Sequence, residues 1–298
     1  KGMTLNEAID IMRGPKGTEI MLTIGRPGES QPFEVTLVRD KIRVASVRER
    51  WLEPGYGYIR VAQFQSQTGR DVRQSLDKLM AEQALKGLVL DLRNNPGGIL
   101  RASVDVAGMF MNGGAVVYTK GRLANAEFTY NADDVDVTAG TPLIVLINKG
   151  SASASEIVAG ALQDHGRAVI MGTHSFGKGS VQTIVPISES RAVKLTTALY
   201  FTPNGRSIQA EGIEPDIHVE RAQVTAYDTS KRITESDLSG RLDNAGGNGN
   251  DENKKSRELA SKLLSTDNQL YEALTLLKGI NILGMREKKV EQNKAGNS

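Results

Sequence analysis

Cysteine is absent from the 298 residues, which removes disulfides, thiolate nucleophiles and cysteine-ligated zinc or iron–sulfur sites. Histidine is nearly as scarce. His165, His174 and His218 are too few for a multi-histidine metal cluster, and none has the paired helical spacing of a zinc protease. No uninterrupted apolar run approaches the ~18 residues that cross a bilayer, so the segment is not expected to span one. Charge of one sign is also lacking: 37 basic against 35 acidic residues leave +2, without the basic footprint that nucleic-acid binding requires. The chain opens at Lys1-Gly2-Met3 with neither an initiator nor a signal peptide, so its natural beginning is expected to be missing.

What is present is length enough for about two domains at a loose ~150 residues each. Leu5, Ala8, Ile9 and Met12 give one apolar face to a short helix, which Thr4 can cap with Glu7 in the capping-box position. Glu19–Ile24 and Phe33–Val38 then alternate apolar with polar residues around Gly25-Arg26-Pro27-Gly28, as a hairpin does. Residues 1–43 therefore read as the C-terminal half of a small β-rich module. Beyond Val44, strand candidates at Tyr58–Val61, Gly87–Leu92, Leu143–Ile147 and Ala168–Met171 alternate with helical patterns at Gln67–Gln83, Arg101–Met111 and Ser155–Asp164. That alternation predicts an α/β layered domain ending near Val219. The β-branched runs Val181–Pro186 and Val193–Tyr200 add a mixed sheet. Residues 221–298 turn polar, with Asn244–Ser256 a flexible linker, before a helix capped by Thr266 or Asp267. Its stripe of Leu270, Leu274, Leu277 and Ile280 needs a partner, either the body of the protein or another subunit.

The chemistry concentrates in three stretches. Asn148-Lys-Gly-Ser-Ala-Ser-Ala-Ser-Glu-Ile157 places three serines between a buried strand and a helix, where free helix amides could hold an oxyanion. The alternative is that these serines only cap the helix. A serine nucleophile needs a base. His165 lies at the far end of the helix, ~15 Å away at 1.5 Å per residue, while His174 and His218 remain geometrically possible. Lys178, between Gly177 and Gly179, is the better candidate, because a lysine shielded from water loses its proton more easily; its alternative is a solvated turn lysine. Gln182 follows at an alternate strand position from which its amide could orient the amine. Gly172 to Lys178 approaches a phosphate-binding loop, but Gly179 stands where the metal-binding Ser or Thr belongs and a strand follows. In Leu90-Asp-Leu-Arg-Asn-Asn-Pro-Gly-Gly98, a strand breaks into a turn whose bare amide can approach a carbonyl, unless it is an ordinary connection.

Taken together, D-L-R-x-N-x-G-G, S-A-S-A-S-E and F-G-K-G-x-x-Q over Val44–Val219 resemble the bacterial carboxyl-terminal processing (tail-specific) proteases of the CtpA type. The resemblance implies an α/β (α+β) mixed-sheet layered protease core of the ClpP/crotonase-like kind at 44–220, with a partial PDZ domain before it and a helical segment after it. It implies Ser153 as nucleophile and Lys178 as base, 25 residues apart, with Ser151 and Ser155 supporting and Gln182 steadying the base. It makes the amides of Gly98 and Ala154 the oxyanion hole, with Gly97 the alternative glycine, and places Asp164 as an acidic residue near the site. No cofactor or metal is implied. Substrates would be proteins engaged through C-terminal tails, among them cell-wall hydrolases delivered by a lipoprotein adaptor, in the periplasm or cell envelope. A homo-oligomer would form through the C-terminal helix. The first half of the PDZ domain, with its carboxylate-binding loop, is not in these residues. A Ser–Lys amidase of small molecules and a resting PDZ scaffold are the rival readings.

Overall fold

The computed structural model describes residues 5–40, 45–121, 127–133, 135–188, 191–225 and 263–295. They divide into two compact units, Lys1–Ala45 and Ser46–Ser298. The cap expected at Thr4 and the linker at Asn244–Ser256 lie outside the described residues.

In the first unit, α1 (Leu5–Met12) precedes an antiparallel hairpin of β1 (Glu19–Ile24) and β2 (Phe33–Val38), with Ile24 opposite Phe33. A helix end leaves carbonyls without partners. Arg39 supplies donors to them: its Nε reaches Met12 O at 2.9 Å and its Nη2 reaches Ile11 O, while Nη1 holds Glu19 O on the hairpin. One guanidinium thus ties helix to hairpin.

The second unit is built on a six-stranded sheet: β12 (Ile217–His218), β9 (Val169–Gly172), β8 (Leu143–Ile147), β5 (Gly87–Asp91), β4 (Tyr56–Val61) and β3 (Val47–Glu53), in that spatial order. All neighbours are parallel except β3, which runs antiparallel at the edge. The strands β5 and β8 are apolar and buried along their whole length, as parallel strands covered on both faces must be. Leu88, Leu90, Val145 and Ile147 face one core, shared with α2 (Thr68–Glu82), α3 (Leu100–Gly108) and α4 (Ala154–Asp164). Val89, Ile144 and Leu146 face the other.

The β-branched runs Val181–Pro186 and Val193–Tyr200 do not join this sheet. Instead β10 (Ser180–Ser188) and β11 (Arg191–Phe201) pair with β6 (Ala115–Gly121) and β7 (Phe128–Asn131) in a separate antiparallel sheet. Alternating sequences suit antiparallel pairing, and much of β10 and β11 is exposed, Ile184, Ile187 and Leu195 included.

The second face of the large sheet is covered by α5 (Asn268–Ala295), whose Leu270, Ala273 and Leu277 pack on Tyr58, Val89, Ile144, Leu146 and Met171. The apolar stripe therefore docks on the body of its own chain. Beyond it Ile282, Leu283 and Met285 are exposed. Asp267 is the cap, its Oδ1 accepting the Leu270 N–H at 3.1 Å, whereas the Thr266 hydroxyl donates to Leu263 O. Asn268 and Gln269 stitch the same turn to the chain after β12, through Glu220 O, Ala222 N–H and Val219 O.

Leu277 is fully buried in this contact, so Leu277→Ala should cost about 2–5 kcal/mol for lost transfer energy and the cavity left behind. The fall in urea midpoint, with the slope unchanged, measures it.

Candidate active site

Because β4, β5, β8 and β9 are parallel, the segments that follow them emerge at one edge of the sheet: 62–65, 92–98, 148–153 and 173–179. The candidate residues lie on these segments. In the turn after β8, the outer serines of the S-A-S-A-S run are buried and committed. Ser151 Oγ donates to Leu92 O at 2.8 Å, and Ser155 Oγ donates to Asn95 O at 2.9 Å. Asn95 O also accepts the Ala152 N–H. Only Ser153 stays half-buried rather than buried, at the N-cap of α4 with φ +56° and ψ −110°. That conformation strains a residue with a Cβ, at a cost of about 1–3 kcal/mol that the surrounding bonds must offset.

Chief among those bonds is Glu156. Its carboxylate is completely buried and accepts from four donors: Ser153 N–H (2.6 Å), Lys178 N–H (2.9 Å), Gly177 N–H (2.6 Å) and the Ser175 hydroxyl (2.6 Å). Ser175 Oγ in turn accepts the Ile213 N–H. The backbones of Ser153 and Lys178 are thus held by one carboxylate, three residues into α4. Capping-box spacing signals the link from Glu156 to Ser153, but no local pattern signals the link to 175–178.

Lys178 is half-buried, and its Nζ has no hydrogen bond or ion pair among the described residues. No hydrogen bond joins it to Ser153. Gly179 beside it is obligatory, since a Cβ there would sit 2.3 Å from Gln209 N. Gln182 is exposed on β10 and makes no hydrogen bond to the amine. Lys178 precedes the strand, and a register irregularity falls at Val181/Gln182 between the two.

The turn after β5 distinguishes the two glycines. The Gly97 N–H is occupied, donating to Asn95 Oδ1 at 2.9 Å. Gly98 forms a parallel bridge with Phe64 in which Phe64 bonds Gly97 O and Ile99 N–H. That pattern turns Gly98's own amide the other way, and it has no partner among the described residues. A Cβ on Gly98 would lie 2.0 Å from Phe64 O, so no other residue fits. The Ala154 N–H likewise has no partner among the described residues, and Gly97 abuts it, a Cβ there falling 3.0 Å from Ala154 N.

Asp164 requires a correction: it is not near Ser153. It lies at the opposite end of α4, eleven residues on and ~16 Å away, where it pairs with Arg206 and accepts the Asn204 N–H. His165 is at that same end, bonded to Ala115 O, and His218 pairs with Glu220. His174 faces Ser175 O and Glu214. Among the described residues no group of three or more His, Asp or Glu could hold a metal ion.

The acidic group that does border the site is Asp91, at the end of β5, fully buried and bonded to Tyr58, Arg60 and Arg93. Burial, with the Asp91 charge beside it, pushes the Tyr58 hydroxyl up to about 12. Arg93 also takes Asp267, bidentately, at 2.8 Å. Burial alone would raise the Asp267 carboxyl, but Arg93 outweighs it and holds the group below the usual carboxylate range.

The comparisons with known proteins fit this geometry. The model of peptidase family S41 matches residues 55–219, more than half of the chain. The chain belongs to peptidase family S41. It is 48% identical over 284 residues to a carboxy-terminal-processing protease of Bartonella bacilliformis, covering 93% of this chain and 64% of that protein. It is 41% identical to a carboxyl-terminal-processing protease of Synechocystis, over 75% of this chain and 52% of the relative. A solved structure, of a photosystem II D1 C-terminal processing protease, is 36% identical with TM-score 0.55, covering 74% of this chain and 60% of that one. The S41 chain thus spans about half to two thirds of the length of these relatives.

Two outcomes test the site's supports. Glu156→Gln should lower stability by about 2–4 kcal/mol, because whichever way the amide turns two donors lose their acceptor; chemical denaturation reads this. A depressed Asp267 carboxyl stabilises the fold above its unfolded pKa of ~3.9 and stops doing so as pH falls through its lower folded value. The stability gap between wild type and Asp267→Asn should therefore be full at pH 6 and shrink below pH ~4, as urea midpoints across that range would record.

Proposed function

We propose that this S41 chain is the catalytic part of a serine endopeptidase with a Ser–Lys dyad. Ser153 Oγ attacks the scissile carbonyl carbon, and the neutral Lys178 amine takes its proton. The tetrahedral oxyanion sits between the Gly98 and Ala154 N–H groups, and the protonated amine then returns the proton to the leaving nitrogen. Water, deprotonated by the same amine, hydrolyses the acyl-enzyme. The observation that carries the reading is the pair of unpartnered N–H groups beside a strained serine whose backbone shares a carboxylate with Lys178. Catalytic hydrogen bonds often close only with substrate in place, and Gln182 would steady the amine in that state. The unmade Ser153–Lys178 bond favours a second reading, a scaffold whose dyad rests apart.

The names of the relatives point to protein C-termini as the substrate class. The proposal includes tail capture by a PDZ domain whose second half is 1–43, a protease core at 44–220, and a segment at 221–298 that supports assembly into a homo-oligomer. It also includes a periplasmic or envelope setting and delivery of substrates such as cell-wall hydrolases by a lipoprotein adaptor.

An unfolded protein with a free apolar C-terminus should be cut by wild type. Ser153→Ala and Lys178→Ala should each lose at least about 10³-fold in kcat, with melting temperatures unchanged. Cleavage persisting in both variants would sink the dyad, and an inert wild type that takes no phosphonate label on Ser153 would favour the scaffold.

A further inference from the structure

We propose that Asp267, at the start of α5, is a positioning residue of the site, setting the 92–98 loop and its Gly98 amide through Arg93. This rests on the acyl-transfer reading of Ser153. All five N–H donors of Arg93 are placed: Nε and one Nη2 hydrogen on Asp91, the other on Asp267, and the two of Nη1 on Asp267 and Gln269. The Arg93 side chain is only 9% exposed, so its position is dictated by these partners rather than by water.

Two features make this a matter of position more than of stability. The attachment of α5 comes from Leu270, Ala273 and Leu277, so the helix stays docked without the pair, even though leaving Arg93 with fewer partners lowers stability. The ion pairs also close only with the start of α5 in place: Arg60 and Arg93 face Asp91 and Asp267, and Arg221 adds a further positive charge near Asp267. Without Asp267 the cluster carries an extra positive charge next to a short, taut loop. Its next residue, Asn94, has φ +56°, and Asn95 then holds Ala152 N–H, Ser155 Oγ and the Gly97 N–H. A shift of Arg93 therefore reaches the Gly98 amide five residues on, and the Ala154 amide through the Ala152 N–H that Asn95 O accepts. An error of ~1 Å there is enough to cost about 10² in rate.

The test uses the full chain and an internally quenched peptide with an apolar C-terminal tail, with phosphonate labelling of Ser153 as a second readout. Asp267→Ala should lower kcat by about 10- to 100-fold with KM within about twofold, and slow labelling in parallel. Asp267→Asn, which keeps the cap and one acceptor for Arg93, should fall in between and serves if the alanine variant does not fold. Asn268→Ala removes the bonds to Glu220 and Ala222 from the same turn without touching Arg93, and should keep wild-type kcat. An Asp267→Ala kcat within twofold of wild type, or an equal loss in Asn268→Ala, would overturn the proposal while leaving the dyad standing. If instead Ser153→Ala cleaves as well as wild type, the acyl-transfer reading fails and this inference falls with it.

Discussion

A parallel sheet that is buried on both faces governs this molecule. Parallel neighbours demand crossovers, so α2, α3 and α4 are laid against one face. The remaining face of β4, β5, β8 and β9 is just as apolar and would be exposed without α5. The same parallel order sends the ends of four strands to one edge, the place where ligands are met in open α/β sheets. Covering the sheet and assembling the site are therefore one problem. The helix that closes the second face begins with the residue that reaches Arg93.

At that edge the polar groups are few and each is heavily used. Glu156 is a buried carboxylate made tolerable by four donors, the arrangement that lets a charge stay inside a protein. Asp91 is another, held by Tyr58, Arg60 and Arg93. Neither needs to touch a substrate to matter. One holds the backbone of Ser153 against that of Lys178, and the other anchors the strand end from which the Gly98 loop departs. The strain at Ser153 persists because these contacts over-determine it.

Much of the fold was legible in the chain. The hairpin at Glu19–Ile24 and Phe33–Val38 and the strand Leu143–Ile147 have the expected limits, because alternating or continuous apolar runs bounded by glycine, proline or polar turns leave little choice. Val47–Glu53 was not legible as a strand: Arg48, Glu49 and Arg50 interrupt its apolar pattern, and it is stabilised by its neighbour at the sheet edge. The partition of strands between two sheets was equally out of reach, since pairing is a non-local choice. Asp164, which the resemblance placed near the site, stands at the far end of an eleven-residue helix from Ser153.

The sequence by itself determined most of the elements, the S41 motifs and the residue types able to perform acyl transfer, because local periodicity and short-range turn chemistry are written in consecutive residues. Only the tertiary structure decided which of three serines stays half-buried, which of two glycines has an amide without a partner among the described residues, that α5 docks on its own sheet, and that Asp267 meets Arg93 across 174 positions. Those outcomes depend on hydrogen bonds and apolar contacts between segments far apart in the chain, and the competition among donors for one buried carboxylate is settled only when the segments meet.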